Sequence, residues 1–263
     1  MAELDNKTPG LVELVPLIDR YGSNVMVVIT KVTYDMHAGQ IVVPAPDQAP
    51  LTFADVPGVS GAAGELAQAS DVTDFKPSTD VVVTAPEGPI DSAPVAGRHL
   101  DIQIGSLRFG GKVSKPWVFG PVPRARKPRK DYAGTYDKAW LNERFPLVPS
   151  DFDPRHNQVA PPKQIAPRYL VGDETMTIRN LYGPDHVLAA GLPRRAVVVS
   201  GNVRGRYFTE VAVLDTLTVS SDRPRLSLVW RLAIKPRQKI EEVRNVFVST
   251  ASIRSARELY GKP

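Results

Sequence analysis

Ten of the chain's 25 prolines fall between residues 116 and 167. Proline lacks a backbone N–H and fixes φ, so it is excluded from helix interiors and from central strands. So dense a run cannot be part of a helical bundle or the middle of a sheet. It must be a long irregular crossover, with room for little more than a short helix near Lys138 to Arg144. A structureless stretch of this length inside a compact domain is functional, mobile or pinned by specific contacts.

On both sides of the crossover the pattern is that of strands. Val25 to Val32 is β-branched and runs on into Thr33 and Tyr34, and extended structure resumes at Gln40 to Val43 after Gly39. Val81 to Thr84 follows a proline-bearing turn. Leu100, Ile102 and Ile104 alternate with His99, Asp101 and Gln103, which predicts one half-buried strand over Arg98 to Phe109. The pair Gly110-Gly111 then predicts a turn, with Lys112 to Phe119 pairing back. Later strands are predicted over Met176–Leu181, Ala196–Val203, Val211–Val219, Leu226–Ile234 and Val243–Ala251. A terminal helix is predicted over 252–260, with Ser252 as its cap and Arg254 and Glu258 one turn apart. The expected fold is mainly β: an antiparallel, two-sheet, sandwich-like single domain with a proline-rich crossover and a short C-terminal helix. Its parts are an N-terminal β lobe over about 1–120, the crossover over about 121–170 and a C-terminal β lobe over about 171–263. Strand alternation places Trp230 in the core and Arg231 on the opposite face, where it needs a carboxylate or solvent.

Composition narrows the chemistry. The 263 residues contain no cysteine, which excludes disulfides, thiolate metal sites and cysteine nucleophiles. No apolar run approaches the ~18 residues of a membrane-spanning helix. The acidic start, Met-Ala-Glu-Leu-Asp-Asn, lacks the features of a cleaved signal. Lys and Arg exceed Asp and Glu by 33 to 28, a mild excess for a dedicated nucleic-acid binder.

The motifs give little support to catalysis. His37, His99, His156 and His186 form no paired metal-binding spacing, and the best metal set, Asp151, Asp153 and His156, is interrupted by Pro154. Gly58, Gly61 and Gly64 lack the strand, helix and lysine of a phosphate loop, and Glu65 follows them. Val59-Ser60-Gly61 is only a fragment of a serine-nucleophile elbow. Glu87 and the acids at 151, 153, 173 and 174 have no spacing that fixes two of them as a catalytic pair. No catalytic, cofactor or metal residues are therefore expected. The basic run Arg124, Arg126, Lys127, Arg129 and Lys130 can carry weak, salt-sensitive binding, an acidic protein partner or only a solvated loop.

The crossover carries a long ordered set of residues. It reads Gly134-Thr135-Tyr136-Asp137-Lys138-Ala139-Trp140-Leu141, Glu143-Arg144-Phe145-Pro146, Pro149-Ser150-Asp151-Phe152-Asp153, Asn157, Ala160-Pro161-Pro162, Gln164, Leu170, Gly172-Asp173-Glu174 and Asn180-Leu181. With Ser70-Asp71, Phe75 to Val83, Leu214-Asp215-Thr216 and Leu226 to Arg231, this resembles the bacterial family known as domain of unknown function 2169 (DUF2169). The chain resembles a compact variant, because Gly120 reaches Gly134 without the longer segment common in the family. The resemblance implies a cytoplasmic adaptor or chaperone of Gram-negative type VI secretion. Such a protein holds a toxic effector and helps load it onto a spike of valine-glycine-repeat (VgrG) and proline-alanine-alanine-arginine-repeat (PAAR) proteins. It implies no reaction and no cofactor. The rival expectations are a structural component of a contractile secretion or phage-like apparatus, and an enzyme with a carboxylate site around Asp151, Asp153 and Glu174.

Within that block, Trp140, Phe145 and Phe152 have two readings. They are buried anchors that pin the crossover to a sheet, or, with Tyr136, they are exposed hot spots for a partner. The candidate partner-binding residues are accordingly Tyr136, Trp140 and Phe152, with Arg124, Arg126 and Lys127 from the basic run. Asp137, Asp151 and Asp153 are expected to pair with Arg144 or Arg155 or to cap turns.

Overall fold

A computed structural model describes residues 2–58, 66–84, 97–113 and 119–260. Val59, Ser60, Gly61, Gly64, Glu65 and Glu87, weighed above, lie outside the described residues.

The described strands are β1 (Leu4–Asn6), β2 (Leu11–Ile18), β3 (Asn24–Asp35), β4 (Gln40–Ile41), β5 (Val43–Pro44), β6 (Val56–Pro57), β7 (Leu66–Gln68), β8 (Asp80–Val83), β9 (His99–Ile104), β10 (Leu107–Lys112), β11 (Thr175–Arg179), β12 (Val187–Gly191), β13 (Arg195–Val203), β14 (Arg206–Val211), β15 (Val213–Val219), β16 (Arg225–Ile234) and β17 (Val243–Ser252). The helices α1 (Lys138–Glu143) and α2 (Ile253–Tyr260) and several single 3-10 turns complete them. The expected mainly β chain with a short C-terminal helix is what forms. Ser252 caps α2 by accepting from Ser255 N at 3.0 Å, and Arg254 reaches Glu258 at 2.8 Å.

The strands make a six-stranded sheet in the order β2-β3-β16-β15-β8, with β5 also pairing β3. A five-stranded sheet runs β10-β9-β11-β12-β4, a four-stranded sheet runs β1-β17-β13-β14, and β6 pairs β7. Most pairings are antiparallel, but β1 with β17, β4 with β12 and β8 with β15 are parallel, so the sheets are mixed. Each large sheet contains strands from before and after the crossover. The two strand-rich stretches therefore interleave rather than forming lobes side by side.

The central strand β3 shows how the core is built. Met26, Val28, Val32 and Tyr34 join a core shared with strands of all three large sheets. Val25, Val27 and Ile29 point to the other face, where they pack with Val229 of β16, Leu51 and Val72. One face of the six-stranded sheet thus meets the other two sheets, and the second is covered by chain from residues 47–52 and 69–76 and from the crossover. Trp230 lies in the shared core and Arg231 on the covered face, as alternation requires.

Two expectations for the 98–119 region are corrected. The turn falls at Gly105-Ser106, with Gly105 at φ +55°, and the residues expected as one strand form the hairpin β9–β10. Gly110 and Gly111 lie inside β10, and a Cβ on Gly110 would collide with Leu100 O of the partner strand. That glycine pair serves close backbone approach rather than chain reversal. The return strand expected over 112–119 ends at Lys112, and residues 114–118 lie outside the described set.

Candidate partner-binding surface

The crossover is irregular yet fixed, because its polar side chains are spent on its own backbone and on the sheet. Asp137 caps α1, accepting from Trp140 N at 2.8 Å. Asp151 accepts from Thr135 N at 3.0 Å and from its hydroxyl at 2.8 Å, and these bonds hold its carboxyl below the usual range. Gly134, at φ +82°, lets the chain pass Pro149 and Asp151 closely enough for those bonds. Asp153 is paired with Arg155, whose hydrogen bond lowers its pKa, and the Arg155 guanidinium lies 4.2 Å from the centre of the Tyr132 ring. Arg144 donates to Arg20 O at 2.9 Å and to Val148 O at 3.3 Å instead of meeting a carboxylate.

Further along, Asn157 donates to Phe75 O and Gln158 to Ser78 Oγ. The buried Gln164 amide donates to both Val81 O and Phe119 O at 2.8 Å. It thereby covers part of the outer edge of β8, which would otherwise present unpaired backbone. Glu174 accepts from Val171 N and Gly172 N, each at 2.8 Å.

The other recurring pieces converge beneath this crossover. Asp215 accepts from Arg231 Nε and from Thr216 Oγ1, and Arg231 also donates to Asp71 O and Thr73 O at 2.8 Å. Lys76 bridges Asp80 at 3.0 Å and Thr216 at 2.8 Å, and Asp80 accepts from Val159 N at 2.7 Å. Lys31 pairs with Asp71 at 2.9 Å and donates to Pro50 O. Three buried cations meet three carboxylates, so the network carries no net charge and ties Pro50, residues 71–80 and the crossover to the sheet. Asp80 is fully buried, and its desolvation raises its pKa against the pull of Lys76.

These attachments leave the aromatic residues of the block facing outward. Helix α1 buries no residue. Tyr136 is 55% exposed and Phe145 63%, while Trp140 is half-buried between them, with ring centroids 4.7 Å and 5.8 Å away. The Trp140 indole donates to Leu147 O at 2.8 Å, which fixes its rotation. The buried-anchor reading therefore fails for Phe145. Phe152 is half-buried, edge-on to His156 at 5.6 Å.

A groove of about 580 Å³ continues the surface, lined by Ile18, Tyr21, Phe75, Leu147 and Phe152. The β2–β3 turn forms its far wall. Asp19 shapes that turn by accepting from Tyr21 N and Ser23 N, each at 2.9 Å. Gly22, at φ +84°, packs against Leu147. Ile18, Tyr21 and Phe75 carry no sequence signal of this role: they are isolated apolar residues in two separate segments, the β2–β3 turn and the chain before β8, and only the fold brings them to the crossover.

The basic run is less continuous than its sequence suggests. Arg129 is buried, donates to His156 O at 2.9 Å and to Val122 O, and is pushed down to about 10 by burial. Arg124, Arg126 and Lys127 are exposed; Arg124 lies 3.7 Å from Asp55 and Lys127 3.9 Å from Asp131. Of the acids considered for metal binding or catalysis, Asp151, Asp153 and Glu174 are engaged locally and Asp173 lies 3.7 Å from Arg257. His156 Nδ1 meets Arg129 O at 2.9 Å, and no cluster of three metal-ligating side chains occurs among the described residues. No helix among them is long and apolar enough to cross a membrane.

These features define a β-rich domain of mixed sheets whose irregular crossover displays an aromatic surface. The family model described as "Uncharacterized protein conserved in bacteria (DUF2169)" matches residues 21–112 and 109–231, and the chain belongs to that family. No curated protein and no solved structure matches it.

Proposed function

We propose that this protein is a non-enzymatic adaptor or chaperone. It binds a type VI secretion effector in the bacterial cytoplasm and helps load it onto a VgrG/PAAR-type spike. The observation that carries this reading is the division of labour within the crossover. Its carboxylates and amides hold the backbone, while Tyr136, Leu141 and Phe145 stand more than half exposed beside an apolar groove. Large aromatics are costly to leave in water and are the side chains most enriched at binding hot spots. Arg124, Arg126 and Lys127 supply polar contacts at most, because surface charge pairs contribute little to affinity.

Co-expression with candidate effectors from the same genome tests the proposal. The expected result is a complex that copurifies and a gain in effector solubility, both lost in a Tyr136→Ala/Phe145→Ala double variant that remains folded. Absence of a complex, with no change in effector solubility, would refute the adaptor role.

A further inference from the structure

An unpaired sheet edge is a template for another strand unless something blunts it. Most edges of the three large sheets are blunted. Pro16 interrupts β2, Gln164 covers part of β8, and β10 lies against the turn at 162–164. Strands β1 and β4 are only three and two residues long. The outer strand of the four-stranded sheet, β14, is the exception. It runs six residues without a proline, and Arg206, Tyr207, Thr209 and Glu210 are exposed, Tyr207 to 87%.

Register fixes which backbone groups of β14 point outward. Ala212 N donates to Val197 O, so the hydrogen-bonded pairs of the β13–β14 ladder are Val199–Glu210, Gly201–Phe208 and Val203–Arg206. Tyr207, Thr209 and Val211 therefore direct their N–H and C=O groups away from β13. None of these groups has a hydrogen-bond partner among the described residues. Alternating donors and acceptors of this kind are complemented by another strand. A phosphate or nucleic acid offers acceptors to the N–H groups and leaves the carbonyls unmet.

The side chains select the strand. Arg206, Phe208 and Glu210 share the face of the core residue Val199 and line a cleft of about 720 Å³ with Ile234. Phe208 rests on Gly201, where a Cβ would come within 2.8 Å of its ring. Arg206 and Glu210 have opposite charges and no ion-pair partner among the described residues. Four residues apart on a strand they stand ~13 Å from each other, too far to pair. An antiparallel second copy with Phe208 facing its own counterpart places Arg206 of each copy opposite Glu210 of the other. The same register sets Tyr207 against Thr209, so that the outward backbone groups meet. A two-fold axis at Tyr207 or Thr209 instead leaves Arg206 facing no carboxylate. An acidic peptide would satisfy Arg206 and leave Glu210 alone. We propose that β14 is a homodimer interface, at which two four-stranded sheets join into one of eight strands about a two-fold axis at Phe208.

Sedimentation equilibrium of the full chain across the micromolar range tests the proposal. A ladder this short is smaller than the roughly 1,200–2,000 Å² of a tight interface, so monomer and dimer exchange. The expected result is a reversible dimer. Arg206→Glu and Glu210→Arg each set like charges opposite one another at both pairs and should weaken it at least about tenfold. Both positions are exposed, so circular dichroism is expected to be unchanged. The double variant Arg206→Glu/Glu210→Arg exchanges the charges and should restore the dimer. A mixture of the two single variants should associate as a heterodimer. A protein that stays monomeric throughout the range would overturn the proposal, as would a dimer indifferent to the single reversals or one that the double variant does not recover. Protection of the Tyr207 and Thr209 amides by an added peptide of alternating glutamate and valine, without dimerisation, would assign the edge to an acidic segment of another protein and overturn it too.

Discussion

Arg231 illustrates how far a single position can be read from sequence. Alternation along β16 is enough to put Trp230 in the core and Arg231 on the opposite face. Its partner was not legible. Asp215 sits at the irregularity between Leu214 and Thr216 in the β15–β16 ladder, where alternation is interrupted. Removing one member of a buried pair leaves the other charged and unpaired, at a cost of about 3–5 kcal/mol. Arg231→Met should lower the urea midpoint accordingly and should strand the carbonyls of Asp71 and Thr73 as well. Arg108→Met, which breaks the exposed pair with Asp101, should leave the midpoint nearly unchanged. His156 gives the pH counterpart. Burial, with Arg129 beside it, depresses its pKa below the ordinary ~6.5. A histidine whose folded pKa is depressed binds fewer protons folded than unfolded, so stability falls as pH drops below about 6.5. His156→Gln should flatten denaturation midpoints measured between pH 7 and 5; an unchanged slope would show that His156 is not the group responsible.

Among the elements, those with strong periodicity and β-branching were legible: β3, β11, β13, β15, β16, β17 and both helices lie within a residue or two of expectation. The missed strands each lack one of those signals. Pro16 interrupts β2, and the structure tolerates it because β2 is an edge strand. Ala189, Ala190 and Gly191 dilute β12, whose place is set by pairing with β11 rather than by propensity. The parallel pairings depend on where distant chain returns, which no local pattern encodes. Helix α1 was legible but is intrinsically weak: six residues, none buried, far shorter than a helix stable on its own. It depends on the Asp137 cap and on the Trp140–Leu147 bond. Asp137→Ala should cost about 0.5–2 kcal/mol and act locally. Hydrogen exchange should accelerate at amides 138–143 while the β3 and β16 amides keep their rates. Acceleration throughout the sheets would mean that α1 carries global stability.

Taken as one molecule, the chain spends the polar residues of its motifs on architecture and leaves Tyr136 and Phe145 of the crossover exposed. Asp71, Lys76, Asp80, Asp215 and Arg231 come from separate stretches of sequence and meet in one buried network. Sequence could nominate these stretches together but could not say that they touch, since contact follows from three sheets sharing one core. The same holds for the surface. Tyr136, Trp140 and Phe152 were legible as an aromatic block, whereas Ile18 and Tyr21 join them only through the β2–β3 turn docked on the crossover, and Phe75 through the bond its carbonyl accepts from Asn157. If that surface is where an effector sits, binding must bury residues 136–148 and the turn at 18–22 together. Hydrogen-exchange footprinting of the full chain with and without its co-expressed effector tests this most directly. The predicted result is protection confined to amides in those two segments. Protection elsewhere, for example on the outer strands of the four-stranded sheet, with residues 136–148 unchanged, would contradict it.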